Sequence, residues 1–152
     1  MKLPVLIAAG GAAWEADVVA ALERGAAGSA VSVARRCVDV VDLLAVAASG
    51  QGRAALVAAS LRRLDADAVD RLRAAEVVPV GVVPRGDTAA EDRMRALGIE
   101  YLVPDDADPG VVAAVLVEAV ASSGREPVGR TGRMFGDPAT SMAIPPAGPA
   151  SR

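Results

Sequence analysis

Three arginines follow apolar segments that have the character of buried strands. Arg62 and Arg63 come after residues 54–59, and Arg85 comes after residues 77–83. A guanidinium group donates two parallel N–H bonds to phosphate or carboxylate oxygens, so arginines at neighbouring strand ends predict an anion site. Solvated loop charges give the same pattern. Both interpretations stay open, and Arg62, Arg63 and Arg85 are the candidate anion-binding residues.

A cluster of carboxylates, Asp105, Asp106 and Asp108, follows residues 100–103. Carboxylate oxygens are ligands for Mg²⁺ or Ca²⁺, but no EF-hand spacing follows them. Asp108 directly precedes Pro109, and this pair is typical of a helix start, so helix capping explains the cluster better. We therefore predict no metal site and no cofactor.

The residues that most often carry out catalysis are scarce in this chain. It contains no histidine, and its one cysteine, Cys37, has no histidine to activate it, so we expect a small core residue. Gly10 and Gly11 follow the first apolar segment without either nucleotide-binding glycine motif, which favours a tight turn. We predict that the protein is not an enzyme.

Charge and hydropathy exclude two classes of partner. The formal charge is −3, from 19 acidic and 16 basic residues, which argues against binding nucleic acid through its phosphates. No run of about 18 apolar residues predicts a membrane-spanning helix. A single cysteine allows no internal disulfide, and residues 3–9 are better explained as a strand than as a signal peptide. We expect a cytoplasmic protein.

Five short apolar segments alternate with five helical patterns. The predicted strands are residues 3–9, 30–34, 54–59, 77–83 and 100–103. Their continuous Val, Leu and Ala content is typical of parallel strands covered on both faces, and the short connections require right-handed crossovers. We predict an α/β flavodoxin-like three-layer sandwich with a five-stranded parallel sheet of order 2-1-3-4-5 over residues 1–122. Residues 123–152, rich in Gly, Pro and Ser, are predicted to be a flexible tail or linker.

The second and fifth predicted helices carry apolar residues in different patterns. For the second helix, the spacing of Val41, Leu44 and Ala48 predicts an inward face. The fifth helix carries seven consecutive apolar residues, 111–117, which one sheet cannot cover completely. We predict a contact surface for a second copy or a protein partner, unless the small side chains expose little area and the tail covers them. Its candidate residues are Tyr101, Val111, Val112, Val115 and Leu116.

Residues 95–116, RALGIEYLVPDDADPGVVAAVL, resemble the end of a two-component receiver domain. In such domains a Gly-Ala-x-x-Tyr-Leu segment leads into the fifth strand, a Lys-Pro pair and the last helix. The matching positions are Gly98, Tyr101, Leu102 and Pro104. Val103 stands where receivers have the lysine, so the resemblance implies the receiver fold without the cation that steadies a phosphoryl group.

Two further positions depart from the receiver pattern. Receivers have an acidic pair after the first strand, where this chain has Gly10 and Gly11. They have a phosphorylated aspartate at the end of the third strand, where this chain has Ala58, Ala59 and Ser60. Metal binding and the phosphoacceptor are therefore both missing from the pattern, and the chain looks like a pseudo-receiver.

A second resemblance is to the N-terminal domain of actinobacterial CpaE/TadZ-type ATPases, which are relatives of MinD. It rests on three segments, residues 4–25, 35–65 and 77–104, and covers roughly residues 1–122. In that family a Pro-rich linker and a P-loop ATPase follow the pseudo-receiver, and the protein takes part in placing pilus or secretion machinery at a cell pole. Residues 124–152 contain no P-loop sequence.

These resemblances imply a non-catalytic interaction or localisation module, the regulatory part of a CpaE/TadZ-type ATPase. Its partners would be a second copy, another protein or a tethered P-loop ATPase, with recruitment to a cell pole. A phosphate-bearing small molecule sensed at Arg62, Arg63 and Arg85 is the alternative. An active receiver that uses Asp65, the nearest acid after the third strand, is a further hypothesis.

Overall fold

A computed structural model describes residues 2–24 and 30–124. Five parallel strands form one sheet in the order β2-β1-β3-β4-β5. The strands are β1 (Leu3–Ala8), β2 (Val31–Arg36), β3 (Ala54–Ala58), β4 (Val78–Val83) and β5 (Tyr101–Pro104). The helices are α1 (Trp14–Glu23), α2 (Val40–Ala48), α3 (Ala66–Ala74), α4 (Thr88–Ala96) and α5 (Pro109–Gly124). The predicted flavodoxin-like topology is confirmed.

The sheet separates two apolar cores because successive side chains of a strand point to opposite faces. Leu6 belongs to the core beneath α2, α3 and α4, whereas its neighbours Val5 and Ile7 belong to the core beneath α1 and α5. Every residue of β3 and β4 is buried. This is why the central strands consist of small and branched apolar residues without polar alternation.

Four aspartates determine where helices begin at the carboxyl end of the sheet. Asp39, Asp65 and Asp87 each accept a hydrogen bond from the backbone N–H three residues later, at 2.8 to 3.0 Å. Asp108 accepts a bond from Gly110 N at 2.8 Å at the start of α5. Such caps satisfy N–H groups that have no partner inside the helix. The predicted cap at Asp108 is confirmed.

The predicted inward face of α2 is wrong. Val40, Leu43, Val46 and Ala47 are the buried residues, while Val41 is 65% exposed and Ala48 is also exposed. Almost every position of this helix is apolar, so more than one helical stripe fits the pattern. Packing against the sheet selects the stripe that begins one residue earlier than predicted.

Helix α5 continues to Gly124, two residues past the predicted boundary at residue 122. The predicted flexible tail falls almost entirely on residues 125–152, which lie outside the described residues. Within the described ranges, no helix combines the length and apolar character needed to cross a membrane.

Candidate functional site

The loops at the carboxyl ends of the five strands form the end of the molecule where open α/β sheets bind ligands. A cleft of about 490 Å³ lies there above β3 and β4. Its lining comes from the α1 start, from the ends of β3 and β4, and from the β5–α5 loop. The lining residues are Ala12, Ala13, Trp14, Asp17, Ala58, Ala59, Ser60, Val82, Pro84, Asp105 and Asp106.

The floor of this cleft has no acidic side chain. Ala58, the last residue of β3, is 1% exposed, and Ala59 continues the strand direction by donating its N–H to the carbonyl of Val82 at 2.9 Å. Ser60 is exposed and brings the one hydroxyl that lines the cleft. The position that the receiver resemblance assigns to a phosphoacceptor is thus occupied by methyl groups and a serine.

The β1–α1 turn is tight, as its glycines predicted. Gly10 and Gly11 have φ angles of +61° and +83°, in the left-handed region that favours glycine. A Cβ atom at Gly10 would also lie 3.3 Å from Leu61 Cδ1. The turn therefore closes against the β3–α3 loop, and it places backbone rather than carboxylates beside the cleft.

The carboxylates that do line the cleft lie on its rim. Asp17, Asp105 and Asp106 are all exposed. Arg85 Nε donates to both carboxylate oxygens of Asp106, at 2.8 and 3.0 Å, which joins the β4–α4 and β5–α5 loops. In the part of the chain that the structure describes, no three His, Cys, Asp or Glu residues are placed to hold a metal ion.

The three candidate anion-binding arginines are not brought together. Arg62 and Arg63 line a second cleft of about 450 Å³ beside the start of α2. Arg85 lines a separate depression of about 240 Å³ between α4 and β5, and its guanidinium is paired with Asp106. A single clamp of all three is therefore not formed. Anion binding by Arg62 and Arg63 stays a prediction.

The predicted contact surface on β5 and α5 is only partly at the surface. Val112 is 2% exposed and Leu116 is fully buried, both within the core beneath α1 and α5, so these two residues cannot contact a partner. Tyr101 and Val115 are half-buried, and Val111 is 51% exposed. Although seven apolar residues occur in succession, helical geometry still turns one stripe of them onto the sheet. Dimerisation through the remaining three stays a prediction.

Cys37 follows β2 and is buried, as predicted. Burial raises the pKa of its thiol to about 11, and the negative charge of Asp42 acts in the same direction. The thiolate is the nucleophilic form of cysteine, so a raised pKa makes this thiol unreactive at neutral pH. The environment of Cys37 supports a packing role.

The most exposed valines of the described chain were not predicted from the sequence to lie at the surface. Val38 is 77% exposed and Val41 is 65% exposed. Val41 lines the cleft that Arg62 and Arg63 line, whereas Val38 lines a separate depression beside Gly10 and Gly11. The signal was present, because α2 has too many apolar residues for one buried stripe. The sequence pattern predicts Val41 on the inward face of α2, so it predicts no apolar surface at this corner.

The fold and the cleft define a class of structure, a receiver-like α/β domain. Gly10 and Gly11 follow β1 and Ala58 ends β3, at the positions where the receiver resemblance would place acidic residues. The response regulator receiver domain (CheY-like) of Methanospirillum hungatei JF-1 superposes with a TM-score of 0.64 at 12% identity, covering 84% of this chain and 100% of that one. This likeness shows the fold, and the flavodoxin-like assignment agrees with it.

Two other solved structures are similar to this chain. A pilus assembly-related protein from Burkholderia pseudomallei K96243 matches with a TM-score of 0.62 at 15% identity, covering 79% of this chain and 90% of that one. A structure of the P1 domain of CheA3 in complex with CheY6 from R. sphaeroides matches with a TM-score of 0.63 at 15% identity, covering 79% and 98%. No family model matches the sequence, and no curated protein matches it.

Proposed function

We propose that this chain is a non-catalytic, receiver-like regulatory module that acts through contacts with proteins. The observation that carries the proposal is the end of β3, where Ala58 is buried at the floor of the cleft and no carboxylate takes its place. Phosphoryl transfer to a receiver needs an acceptor carboxylate and acids that hold a metal ion. This chain has a receiver-like fold without these groups, so we infer that it acts through contacts made by its surface.

The biological setting that we propose is the assembly of pilus or secretion machinery. The sequence resemblance to the N-terminal domain of CpaE/TadZ-type ATPases supports it, and so does the structural likeness to a pilus assembly-related protein. In this proposal the module is the regulatory part of such an ATPase in the cytoplasm. It binds a second copy, another protein or the tethered P-loop domain, and it directs the assembly to a cell pole.

Acetyl phosphate tests the non-catalytic part of the proposal. The purified chain is incubated with acetyl phosphate and Mg²⁺, and its intact mass is measured beside a receiver domain that accepts phosphate under these conditions. We expect no phosphoryl group on this chain, because the end of β3 offers no acceptor carboxylate. A stoichiometric, acid-stable or hydroxylamine-sensitive adduct, on Asp65 or elsewhere, would contradict the proposal.

Sensing of a phosphate-bearing small molecule is the second candidate function. Arg62 and Arg63 favour it, since both line a cleft and neither side chain has an ion-pair partner among the described residues. Calorimetric titration with inorganic phosphate and with a nucleotide decides between the two functions. Saturable binding that disappears in the Arg62→Glu/Arg63→Glu variant would favour sensing.

A further inference from the structure

Two valines at the start of α2 are left uncovered by a helix whose other side is fully buried. Val38 precedes the N-cap Asp39, a position whose apolar residue often packs on the fourth residue of the helix. That fourth residue, Leu43, is completely buried, yet Val38 is 77% exposed and Val41 beside it is 65% exposed. These valines form an apolar projection that the domain itself does not cover.

The projection is held in place by its own backbone. Val38 donates its N–H to Asp42 Oδ2 at 3.1 Å, and Asp42 donates its N–H to Asp39 Oδ1 at 2.8 Å. These two bonds fix the residues on either side of the N-cap. Little conformational freedom is lost when a partner covers a surface that is already ordered.

Unpaired positive charge lies beside Val41. Arg62 and Arg63 line the same cleft as Val41, and within the described ranges neither guanidinium has an ion-pair partner. Asp39 also lines this cleft, so its carboxylate offsets one of the two arginine charges and one positive charge remains in excess among the lining residues. We call Val41, Arg62 and Arg63 the basic surface. Its chemistry fits a partner that presents carboxylates next to an apolar side chain.

A surface of that complementary chemistry occurs on the same molecule. Val111, near the start of α5, is 51% exposed, and Asp105 and Asp106 precede it in the β5–α5 loop. Asp106 is paired with Arg85, whereas Asp105 has no side-chain partner among the described residues. We call Asp105, Asp106 and Val111 the acidic surface.

The two surfaces lie at the same end of the domain but at opposite corners. Both are formed by residues that follow the carboxyl ends of strands. The basic surface is on the side of β2 and β3, beneath α2 and α3, and the acidic surface is at β5, on the face covered by α1 and α5. A two-fold axis across this end therefore brings the basic surface of one copy onto the acidic surface of the other, and the reverse.

We propose that two copies of this chain form a closed dimer end to end, in which each basic surface binds the acidic surface of the other copy. The proposal goes beyond the proposed function, which requires protein contacts without saying where they lie. It differs from the α5-centred surface that the sequence predicts, because Val41, Arg62 and Arg63 take part. The pairing also closes the 490 Å³ cleft between the two copies.

Charge-swap variants of the full chain test this pairing. The basic-surface variant is Arg62→Glu/Arg63→Glu, and the acidic-surface variant is Asp105→Arg/Asp106→Arg. The association constants are measured by analytical ultracentrifugation. We expect the association constant of each variant alone to be at least about tenfold lower than that of the wild type, because attraction becomes repulsion at both contacts. An equal mixture is expected to recover a heterodimer, since both of its contacts are again complementary.

Three controls make the result specific. Arg24→Glu/Arg53→Glu changes the net charge by the same amount as the basic-surface variant, but at the opposite end of the sheet. It is expected to leave the association constant of the dimer unchanged. Val41→Ser removes apolar contact without altering charge and is expected to weaken it. Association of the wild type is expected to weaken between low and 0.5 M salt, because exposed charges are screened. Circular dichroism confirms that each variant is folded.

The proposal is overturned if the wild type stays monomeric at every accessible concentration, or if it dimerises without response to the two charge-swap variants. A series of larger assemblies that grows with concentration would also overturn it, since a two-fold pairing closes at two copies. None of these outcomes bears on phosphoryl acceptance. A phosphoryl adduct formed from acetyl phosphate would not contradict the dimer. A protein that stays monomeric would not contradict the non-catalytic proposal.

Discussion

At the scale of single residues, the end of β3 brings Ala58 and Ser60 to the cleft, and Arg85 is paired with Asp106 across two loops. Cys37 is buried with a raised pKa. Ala58 and Cys37 are packed in the interior, and Arg85 joins two loops at the rim of the cleft.

The thiol of Cys37 predicts a loss of stability at high pH. Its pKa is about 11 in the folded protein, against 9.0 as the ordinary value. The unfolded chain therefore loses this proton first, so the stabilisation is complete below pH 9 and declines as the pH rises to about 11. The full effect is roughly 3 kcal/mol.

Urea unfolding between pH 8 and pH 11 measures this decline, with Cys37→Ala as the control. The control keeps every other titrating group, so its free energy of unfolding is expected to fall less steeply than that of the wild type. The difference between the two proteins therefore narrows as the pH rises. If the free energies of unfolding of the two proteins fell in parallel with pH, burial would not raise the pKa of the Cys37 thiol.

At the scale of elements, close approach of segments to the sheet depends on individual glycines. Gly52 is buried before β3, and a Cβ atom there would lie 2.6 Å from Leu6 Cγ in β1. Leu6 is itself fully buried and has no free space to move into. The loop from α2 can reach β3 at this height only because residue 52 has no side chain.

Gly52→Ala is expected to destabilise the domain by about 1–3 kcal/mol, the usual cost of overpacking a core. Leu6→Ala alone is expected to cost about 2–5 kcal/mol, because it leaves a cavity. The double variant should lose less than the sum, since the added methyl group then has room. Chemical unfolding of the four proteins gives the coupling energy, and strict additivity would contradict the steric explanation.

At the scale of the whole molecule, the chain combines a described α/β domain with a Gly- and Pro-rich sequence after α5. The sequence predicts that this second part is a linker, and trypsin can cut it after Arg125, Arg130 and Arg133. The described domain buries its strands β3 and β4 completely. Its backbone is therefore expected to be protected while the predicted linker is accessible.

Brief trypsin digestion is expected to remove the predicted linker first and to leave a product that ends at Arg125. Mass spectrometry of the time course identifies the first bonds cut. Cleavage within residues 30–124, for example after Arg53, before any cut beyond residue 124 would contradict the predicted organisation. The same digestion of the Gly52→Ala variant provides a destabilised comparison.

Most of the fold could be predicted because its signals are local. Continuous Val, Leu and Ala segments separated by capping aspartates indicate buried parallel strands joined by helices, and short connections leave few topologies. Asp108 caps the helix that the sequence pattern assigned to it. The ends of the strands were less accurate, since β2 extends to Arg36, two residues past its predicted end.

The arrangement of the surface required the tertiary structure. In α2 nearly every position is apolar, so only packing against the sheet could show that Leu43 is buried and Val41 is exposed. Arg85 and Asp106 are 21 residues apart and meet because β4 and β5 are neighbours in the sheet. Local patterns determine which elements form, whereas the relative placement of side chains from different loops depends on contacts that no local pattern encodes.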